Sequence, residues 1–206
     1  GDYYLLSHLR MEGKYIFKPL NSCFEKHEHV SFIFEDEELR YKDTRKFGRM
    51  YLLKKDELNK FLASKLGYEP WDKNLTPAYL KNKFENKKMP IKTALLDQTI
   101  IAGIGNIYAD EILFLSRINP LTKALDLTDK NLSDIIENTV KVLDKAVSEG
   151  GTTIRSYTSE EGVTGLFQND LNVHQREHEK CRICGSIIEK IRVGGRGTYY
   201  CPNCQK

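Results

Sequence analysis

Four of the five cysteines lie in two pairs near the end of the chain, and their spacing restricts the fold more than any other feature. Cys181 and Cys184 form one C-x2-C turn, Cys201 and Cys204 form the other, and sixteen residues separate the pairs. Two such turns assemble a tetrahedral site of four thiolates, which suits zinc at about 2.3 Å per bond. Iron in the same cage is the main alternative, and two disulfides are disfavoured in a reducing cytosol. Because four sulfurs leave no open position, one structural zinc ion per chain is expected.

The segment between the cysteine pairs alternates like a β-hairpin, with its tip predicted at residues 194–197. Arg196 lies in that tip among three glycines. Glycine leaves backbone amides unobstructed, and arginine grips a phosphate through two parallel hydrogen bonds. The tip is therefore interpreted either as a phosphate clamp or as a tight turn with one solvated arginine. The remaining cysteine, Cys23, is predicted to be a small buried side chain.

Basic residues are concentrated in two segments of a chain whose formal net charge is only +3. Residues 81–92 contain five lysines and one acid, and residues 180–206 contain six cations and one acid. Two basic surfaces on a nearly neutral protein favour a polyanionic partner, although two solvated faces would give the same pattern.

The composition excludes a disordered chain and a membrane protein. The 206 residues are 40% hydrophobic, which is typical of a globular protein with a genuine core. No apolar run approaches the roughly 18 residues of a membrane span, and no charged-then-apolar leader opens the sequence. A cytosolic location is expected.

The first third of the chain is predicted to form strands. They cover residues 3–10, 14–18, 30–35, 39–43 and 48–53, and short turns between them imply an antiparallel meander. Val30, Phe32 and Phe34 are expected on one face.

Helices are predicted from about residue 56 to Gly150. One stops at Gly67, a second has Thr76 as its N-cap, and residues 91–119 read as a helix, a glycine-containing turn and a helix that begins at Asn106. A long helix over about 128–149 is expected to bury Leu132, Ile135, Ile136, Val140, Leu143 and Val147.

Five ordered motifs make the sequence similar to the formamidopyrimidine-DNA glycosylases of bacterial base-excision repair, also called Fpg or MutM. They are "SHLRMEGKY", "DTRKFGRM", "IKTALLDQTIIAGIGNIYADEILF", "GGTTIRSY" and "VGGRGTYYCPNCQ", and the resemblance runs over nearly the whole chain. It implies an α+β protein in which a two-layered antiparallel β-sandwich, lacking its N-terminal part here, is joined to a helical domain. That domain carries a helix-two-turn-helix motif and a C-terminal zinc-ribbon hairpin.

The resemblance also implies three domains. Residues 1–55 are expected to be the remnant of the sandwich and residues 56–170 the helical domain. The latter contains the helix-two-turn-helix at about 91–118 and a lesion-recognition loop at 156–165. Residues 171–206 are expected to form the zinc finger.

Enzymes of this family flip a damaged nucleotide out of double-stranded DNA and fill the void that remains. The family's void-filling methionine, arginine and phenylalanine match Met11, Arg45 and Phe47. The resemblance places further DNA contacts at His8, His27, Arg45, Lys87, Asn106, Lys190 and Arg196. Asn106 begins the helix after the phosphate-binding turn, where the helix dipole also favours an anion.

Family chemistry begins with an N-terminal proline whose amine attacks C1′ of the damaged nucleotide, followed by β- and δ-elimination of the phosphates. Arg196 matches the arginine linked to the second elimination, and it is the catalytic residue that the resemblance assigns within this chain. Because no residue matches the proline, we expect that residues are missing ahead of Gly1 and that the chain as given binds DNA without cutting it. His174 holds the place of a family tyrosine that contacts a phosphate.

The favoured function is that of a monomeric, cytoplasmic and nucleoid-associated DNA glycosylase with apurinic-site lyase activity on 8-oxoguanine and formamidopyrimidines. An endonuclease VIII-like glycosylase for oxidised pyrimidines is the close alternative, and Met11, Arg45 and Phe47 favour the purine branch. A non-catalytic zinc-ribbon protein that binds damaged DNA and a zinc-ribbon interaction module are the alternatives from other classes.

Overall fold

The computed structural model describes residues 2–151 and 165–206. These residues form two compact units, the first comprising residues 2–62 and the second residues 63–151 together with 165–206. The lesion-recognition loop predicted at 156–165 lies outside the described residues except for Gly165. Over the described ranges, none of the helices combines the length and the apolar character that crossing a membrane requires.

The first unit contains five antiparallel strands. They are β1 (Tyr3–His8), β2 (Lys14–Pro19), β3 (Glu28–Ile33), β4 (Glu37–Lys42) and β5 (Arg49–Lys54). β1 pairs with β5, and β4 lies between β2 and β3 in a three-stranded sheet. The expected meander is therefore wrong, because only β3 and β4 are neighbours both in sequence and in a sheet. The predicted common face of β3 is also shorter than expected, since the strand ends at Ile33 and Phe34 is exposed.

A buried ion cluster holds the three-stranded sheet together. The guanidinium of Arg40, on β4, pairs with Glu38 at 2.6 Å and with Glu28 at 3.1 Å. It also donates to the carbonyl of Ser22 at 2.8 Å and lies over the ring of Phe24. Each of the buried charges is thus compensated, which burial requires.

The second unit is helical. Its helices are α2 (Pro77–Phe84), α3 (Ile91–Leu95), α4 (Asn106–Leu115) and α5 (Asp129–Ser148), with 3-10 turns at Ala124–Asp126 and Phe167–Asp170; α1 (Lys55–Lys65) joins the two units. Thr76 caps α2 as predicted by accepting a hydrogen bond from the amide of Tyr79. Thr128 begins α5 with a capping box that involves Asn131. The predicted start of α4 at Asn106 is confirmed.

The buried face of α5 is rotated from the expected one. Leu132, Ile135 and Leu143 are buried as predicted, but Val147 is 72% exposed and Ala146 takes the inner position. Thr139 is also buried, because its hydroxyl donates to the carbonyl of Ile135 at 2.7 Å. A small residue and a threonine that satisfies its own hydroxyl can thus replace larger apolar residues on the inner face.

The C-terminal hairpin consists of β6 (Glu189–Val193) and β7 (Arg196–Tyr200). Val193 pairs with Arg196, so the turn consists of Gly194 and Gly195 alone, and Arg196 is the first residue of β7 rather than part of the tip. Both glycines have positive φ values, 55° and 78°, as a two-residue hairpin turn requires. Ile188 packs with Phe114 of α4, which anchors the hairpin to the helical core.

Two further sequence expectations are wrong. Lys92, counted in the basic segment 81–92, is completely buried on α3, so this segment exposes fewer charges than it contains. Cys23 is exposed rather than buried. It lies in the irregular stretch between β2 and β3, next to Phe24, which is also exposed.

Candidate metal centre and nucleic-acid interface

The hairpin brings the four paired cysteines together at one end of the second unit. The sulfurs of Cys184 and Cys201 are 3.5 Å apart, those of Cys181 and Cys204 are 3.9 Å apart, and all four lie within 4.8 Å of one another. A tetrahedron with metal–sulfur bonds of 2.3 Å has edges of about 3.8 Å. The four donors therefore fit a zinc ion.

The environments of these thiols differ. Hydrogen bonds from Ser186 and Asn203 lower the pKa of Cys184 to about 5. Burial raises the pKa of Cys201 and of Cys204. Four thiolates cannot coexist here at neutral pH without a cation to compensate them, and a divalent metal supplies that charge.

The turn between α3 and α4 is held by one glutamine. Gly103 adopts a φ of 90°, and its amide donates to Oε1 of Gln98 at 2.8 Å, while Nε2 of Gln98 donates to the carbonyl of Ile104 at 3.0 Å. Gly105 then precedes α4 in an extended conformation and has no side chain to cap the helix. The first amides of α4 are thus left without a side-chain acceptor from the N-cap, which is the arrangement that receives an anion.

Asn106 connects this turn to the zinc hairpin. Its Nδ2 donates to the carbonyl of Gly197 at 3.1 Å, and Gly197 follows Arg196 on β7. Oδ1 of Asn106 is buried and has no hydrogen-bond partner among residues 2–151 and 165–206. Asn106 and exposed Arg196, which are 90 positions apart in sequence, therefore lie close together.

A buried charge network lies directly behind Asn106. Nζ of Lys92 donates to the carbonyl of Asn106 at 2.7 Å and to Oδ1 of Asp110 at 2.6 Å. Oδ2 of Asp110 accepts from Nδ1 of His174 at 2.6 Å. Burial lowers the pKa of Lys92, and the carboxylate of Asp110 acts in the opposite direction. The sequence analysis did not predict this network. The available signal was a lysine, Lys92, on one predicted helix and Asn106 and Asp110 on the next.

His174 is buried rather than displayed. It is only 5% exposed, and its ring meets the ring of Tyr199 edge-on at 4.9 Å. The carboxylate of Glu111 accepts the amides of Asn172, Val173 and His174 at 2.8 to 3.0 Å. The segment before the zinc finger is thus anchored to α4 through two acidic side chains, and His174 is directed toward Asp110.

The two lysine candidates differ in their surroundings. Lys190 is exposed on β6, with Nζ 5.3 Å from the ring centre of Tyr199 and 3.3 Å from a carboxylate oxygen of Glu177. Tyr199 and then Glu177 raise the pKa of Lys190, so its side chain remains charged. Lys87 is half-buried after α2, and its amide donates to the carbonyl of Phe84.

The remaining candidates lie in the first unit. Met11 is 56% exposed and Phe47 is 52% exposed, and the guanidinium carbon of Arg45 lies 4.7 Å from the ring centre of Phe47. Exposed His8 accepts the amide of Arg10 through Nδ1 at 3.0 Å, which leaves Nε2 available. His27 is half-buried with a φ of 74°. The structure therefore presents two apolar side chains and a cation on the surface of one unit.

Three family models match the chain in order. Residues 1–50 match the formamidopyrimidine-DNA glycosylase N-terminal domain, and residues 66–158 match the formamidopyrimidine-DNA glycosylase H2TH domain. Residues 179–206 match the zinc finger found in FPG and IleRS. The chain thus combines the three parts of a helix-two-turn-helix DNA glycosylase.

Comparison with individual proteins gives the same class. The chain is 48% identical over 206 residues to a formamidopyrimidine-DNA glycosylase of Bacillus cereus, covering 99% of this chain and 75% of the relative. It is 45% identical over 207 residues to that of Streptococcus pneumoniae serotype 4, covering 76% of the relative. The chain therefore belongs to the formamidopyrimidine-DNA glycosylase family.

Solved structures resemble the chain over its full length. A Lactococcus lactis FPG in complex with a Fapy-dG containing DNA superposes with a TM-score of 0.88 at 41% identity, covering 100% of this chain and 76% of the other. MutM in complex with carbocyclic 8-oxo-G containing DNA gives a TM-score of 0.88 at 39% identity, covering 100% and 75%. The predicted α+β architecture with its helix-two-turn-helix and zinc finger is thereby confirmed.

Proposed function

We propose that this protein is a base-excision-repair DNA glycosylase with apurinic-site lyase activity that removes oxidised purines from double-stranded DNA. Purines of the 8-oxoguanine and formamidopyrimidine types are the expected lesions. The observation that carries the proposal is the exposure of Met11 and Phe47, with Arg45 stacked on the latter, in a chain with 48% identity to a formamidopyrimidine-DNA glycosylase. Exposed apolar side chains beside a cation suit a wedge for a duplex from which one base has been removed.

Each of the three void-filling residues would have a different role, which its chemistry determines. Met11 is an adaptable apolar wedge, and Phe47 can stack on a base. Arg45, held over the Phe47 ring, can donate hydrogen bonds to the base left opposite the void. Stacking a guanidinium on an aromatic ring restricts its motion, so the donor is partly oriented before DNA arrives.

The second unit would bind the phosphates beside the lesion. Arg196 offers two parallel donors to one phosphate, and the uncapped start of α4 with Asn106 offers backbone amides to another. Because Nδ2 of Asn106 already donates to Gly197, both phosphate sites are fixed relative to each other before binding. Lys87 and Lys190 would add point charges, and His8 and His27 of the first unit would add further contacts.

The four cysteines would hold one structural zinc ion, which supplies the charge that keeps the hairpin closed. Removing the metal with a chelator is expected to release one zinc per chain and to abolish the hydrogen-exchange protection of the β6 and β7 amides. The amides of α5 should remain protected, because the core residues of α5 do not touch the cysteines. A chelated protein that keeps the protection of the hairpin would contradict the proposal.

A single copy of the chain presents all the candidate residues, so we expect a monomer that binds one lesion at a time. The cytoplasm, in association with the nucleoid, is the expected location. Sedimentation of the protein with and without a short lesion-containing duplex measures the first point.

Excision assays test the activity. The protein as its gene encodes it is incubated with duplexes that contain 8-oxoguanine, a formamidopyrimidine, thymine glycol or no lesion, and covalent complexes are trapped with borohydride. We expect excision and trapping with both purine lesions. Faster release of thymine glycol would instead assign the protein to the endonuclease VIII type, and binding without excision would make it a damaged-DNA-binding protein.

A further inference from the structure

The turn that carries Met11 and the loop that carries Arg45 and Phe47 both close on the hydroxyl of one tyrosine. A methyl group built on Gly48 would lie 1.7 Å from the hydroxyl oxygen of Tyr41, and one built on Gly13 would lie 2.9 Å from the same atom. Neither position therefore has room for a side chain. Tyr41 lies on β4 and is only 7% exposed.

The hydroxyl is fixed in place by the neighbouring carboxylate of Asp43. Oδ2 of Asp43 accepts from the Tyr41 hydroxyl at 2.9 Å and from the Gly48 amide at 2.9 Å, while Oδ1 accepts from the Arg45 amide at 3.0 Å. The backbone amide of Asp43 donates to the carbonyl of His27 at 2.9 Å. The carboxylate thus closes the loop over residues 43–48 and orients the tyrosine at the same time.

Each void-filling apolar side chain directly follows a residue with unusual backbone geometry. Arg10, before Met11, has a φ of 55°, and Lys46, before Phe47, has a φ of 56°. Left-handed backbone at residues other than glycine is uncommon and persists only where the surroundings enforce it. The contacts of Tyr41 and Asp43 lie within a few residues of both positions. At the Met11 turn they act together with the hydrogen bonds from the Arg10 amide to His8 and from the Gly13 amide to the carbonyl of Leu9, both at 3.0 Å.

We propose that Tyr41 and Asp43 are positioning residues that hold the Met11 turn and the Arg45–Phe47 loop as one rigid wedge, so that discrimination of lesion DNA depends on the Tyr41 hydroxyl. This inference rests on the proposed function. Tyr41 and Asp43 would influence binding by fixing the positions of Met11, Arg45 and Phe47. They would not touch DNA themselves, because both are buried. Burial, with a contribution from Asp43, raises the pKa of Tyr41 to about 12, so the hydroxyl remains a donor at neutral pH.

The test compares two variants that each lose one hydroxyl. Tyr41→Phe removes the hydroxyl on which both loops close. Tyr15→Phe is the matched control, because its ring packs on that of Tyr41 at 5.4 Å while its hydroxyl donates to Ser7 instead. For each variant, the Kd is measured for an abasic-site duplex and for an undamaged duplex, and 2-aminopurine opposite the site reports unstacking.

We expect Tyr41→Phe to lower the preference for abasic over undamaged DNA by about three- to tenfold, the range that loss of one buried hydrogen bond produces. The 2-aminopurine signal should fall with it, and Tyr15→Phe should change neither. A merely structural role would weaken binding to both duplexes equally and leave the preference unchanged, which would overturn the inference. If the unaltered protein shows no preference for damaged DNA, the proposed function fails first, and the inference fails with it.

Asp43→Asn tests the same hydrogen bonds by changing their acceptor. It replaces Tyr41→Phe as the test if that variant does not fold. The amide retains an acceptor for Arg45, and the Tyr41 hydroxyl can turn to accept, but the Gly48 amide then faces a donor. The same loss of preference is expected.

A second prediction concerns coupling between the two apolar side chains. The effects of Met11→Ala and Phe47→Ala on the preference for abasic DNA should be non-additive in the unaltered protein and additive in the Tyr41→Phe variant. Additivity in both backgrounds would also overturn the inference.

Discussion

The proposed phosphate contact of the zinc hairpin depends on one side chain, that of Arg196. It is exposed at the start of β7, directly before the residue whose carbonyl accepts from Asn106. Its backbone position is therefore set by strand pairing and by α4. A planar fork placed on a rigid strand is suited to a phosphate, whose oxygens it matches in pairs.

Replacing Arg196 with alanine should reduce the steepness with which DNA affinity falls as salt rises, by about one unit in the slope of log K against log salt. Arg196→Lys should retain the slope but bind more weakly, because lysine cannot form the paired hydrogen bonds. Filter-binding titrations at several salt concentrations measure both. Arg192→Ala, which removes a charge from the same hairpin, is the control, and an equal effect of the two alanine variants would argue against a specific role for Arg196.

Glu38 makes the first unit sensitive to acid. Hydrogen bonds from Arg40 and then Ser31 lower the pKa of Glu38 from 4.5 to about 2. Because the folded-state pKa lies below the unfolded one, the carboxylate stabilises the fold above pH 4.5, and this stabilisation is lost as the pH falls toward 2. Glu38→Gln should therefore flatten the decline in the free energy of unfolding over this range, as measured by urea denaturation. Glu37→Gln, on the same strand but exposed, should follow the unaltered protein.

At the scale of elements, the sequence predicts well wherever a local rule decides. Thr76, Thr128 and Asn106 begin helices because capping and dipole effects act within one turn. All five strands of the first unit were located, since alternation is also local. Strand order was not, because pairing β2 with β4 depends on contacts between distant residues that periodicity does not encode.

The candidate site follows the same division. The four cysteines were predictable from spacing, because the metal imposes its own geometry. The burial of Lys92 and His174 was not predictable, because both pair with Asp110, which belongs to a different element. Lys92 also donates to the carbonyl of Asn106 on that element. Exposed Cys23 and Val147 are the converse case, since an apolar residue type does not guarantee that a neighbour exists to cover it.

The link between α4 and the segment before the zinc finger depends on His174. His174→Phe preserves the ring but leaves Oδ2 of Asp110 without its partner at 2.6 Å. An unsatisfied buried acceptor costs about 1–3 kcal/mol, and we expect a loss of stability in that range by chemical denaturation. His178→Asn, at an exposed histidine in the same segment whose φ of 69° asparagine tolerates, should cost less than about 0.5 kcal/mol. Equal stability of the two variants would mean that Asp110 finds another donor.

At the scale of the whole molecule, the positions of individual cations matter more than the net charge. The net charge is +3, yet the DNA-contacting candidates include four permanent cations, Arg45, Lys87, Lys190 and Arg196. A small net charge limits non-specific attraction, whereas a few well-placed cations still draw a polyanion to chosen surfaces. On the proposed function, selectivity for damage would then come from the apolar side chains of the wedge, Met11 and Phe47.

These two contributions should separate in a salt titration. If the three cations proposed to contact phosphates, Lys87, Lys190 and Arg196, each neutralise one, log K should fall with log salt with a slope of about −3 for any duplex. The ratio of affinities for lesion and undamaged DNA should stay nearly constant, because apolar wedging is not screened by ions. Competition titrations at several potassium concentrations measure both quantities. A ratio that collapses with salt would place lesion selectivity in the charged contacts instead.

The close approach of Gly194 to α3 limits how this hairpin can be exchanged between homologues. A methyl group at position 194 would lie 2.6 Å from the hydroxyl oxygen of Thr93. A transplanted ribbon with any larger residue there would have to displace the side chain of Thr93 on α3, and that residue would also have to adopt the positive φ of 55°. Chimaeric repair enzymes should therefore work when ribbon and helix come from one parent, and the ribbon is not a module that can be moved alone.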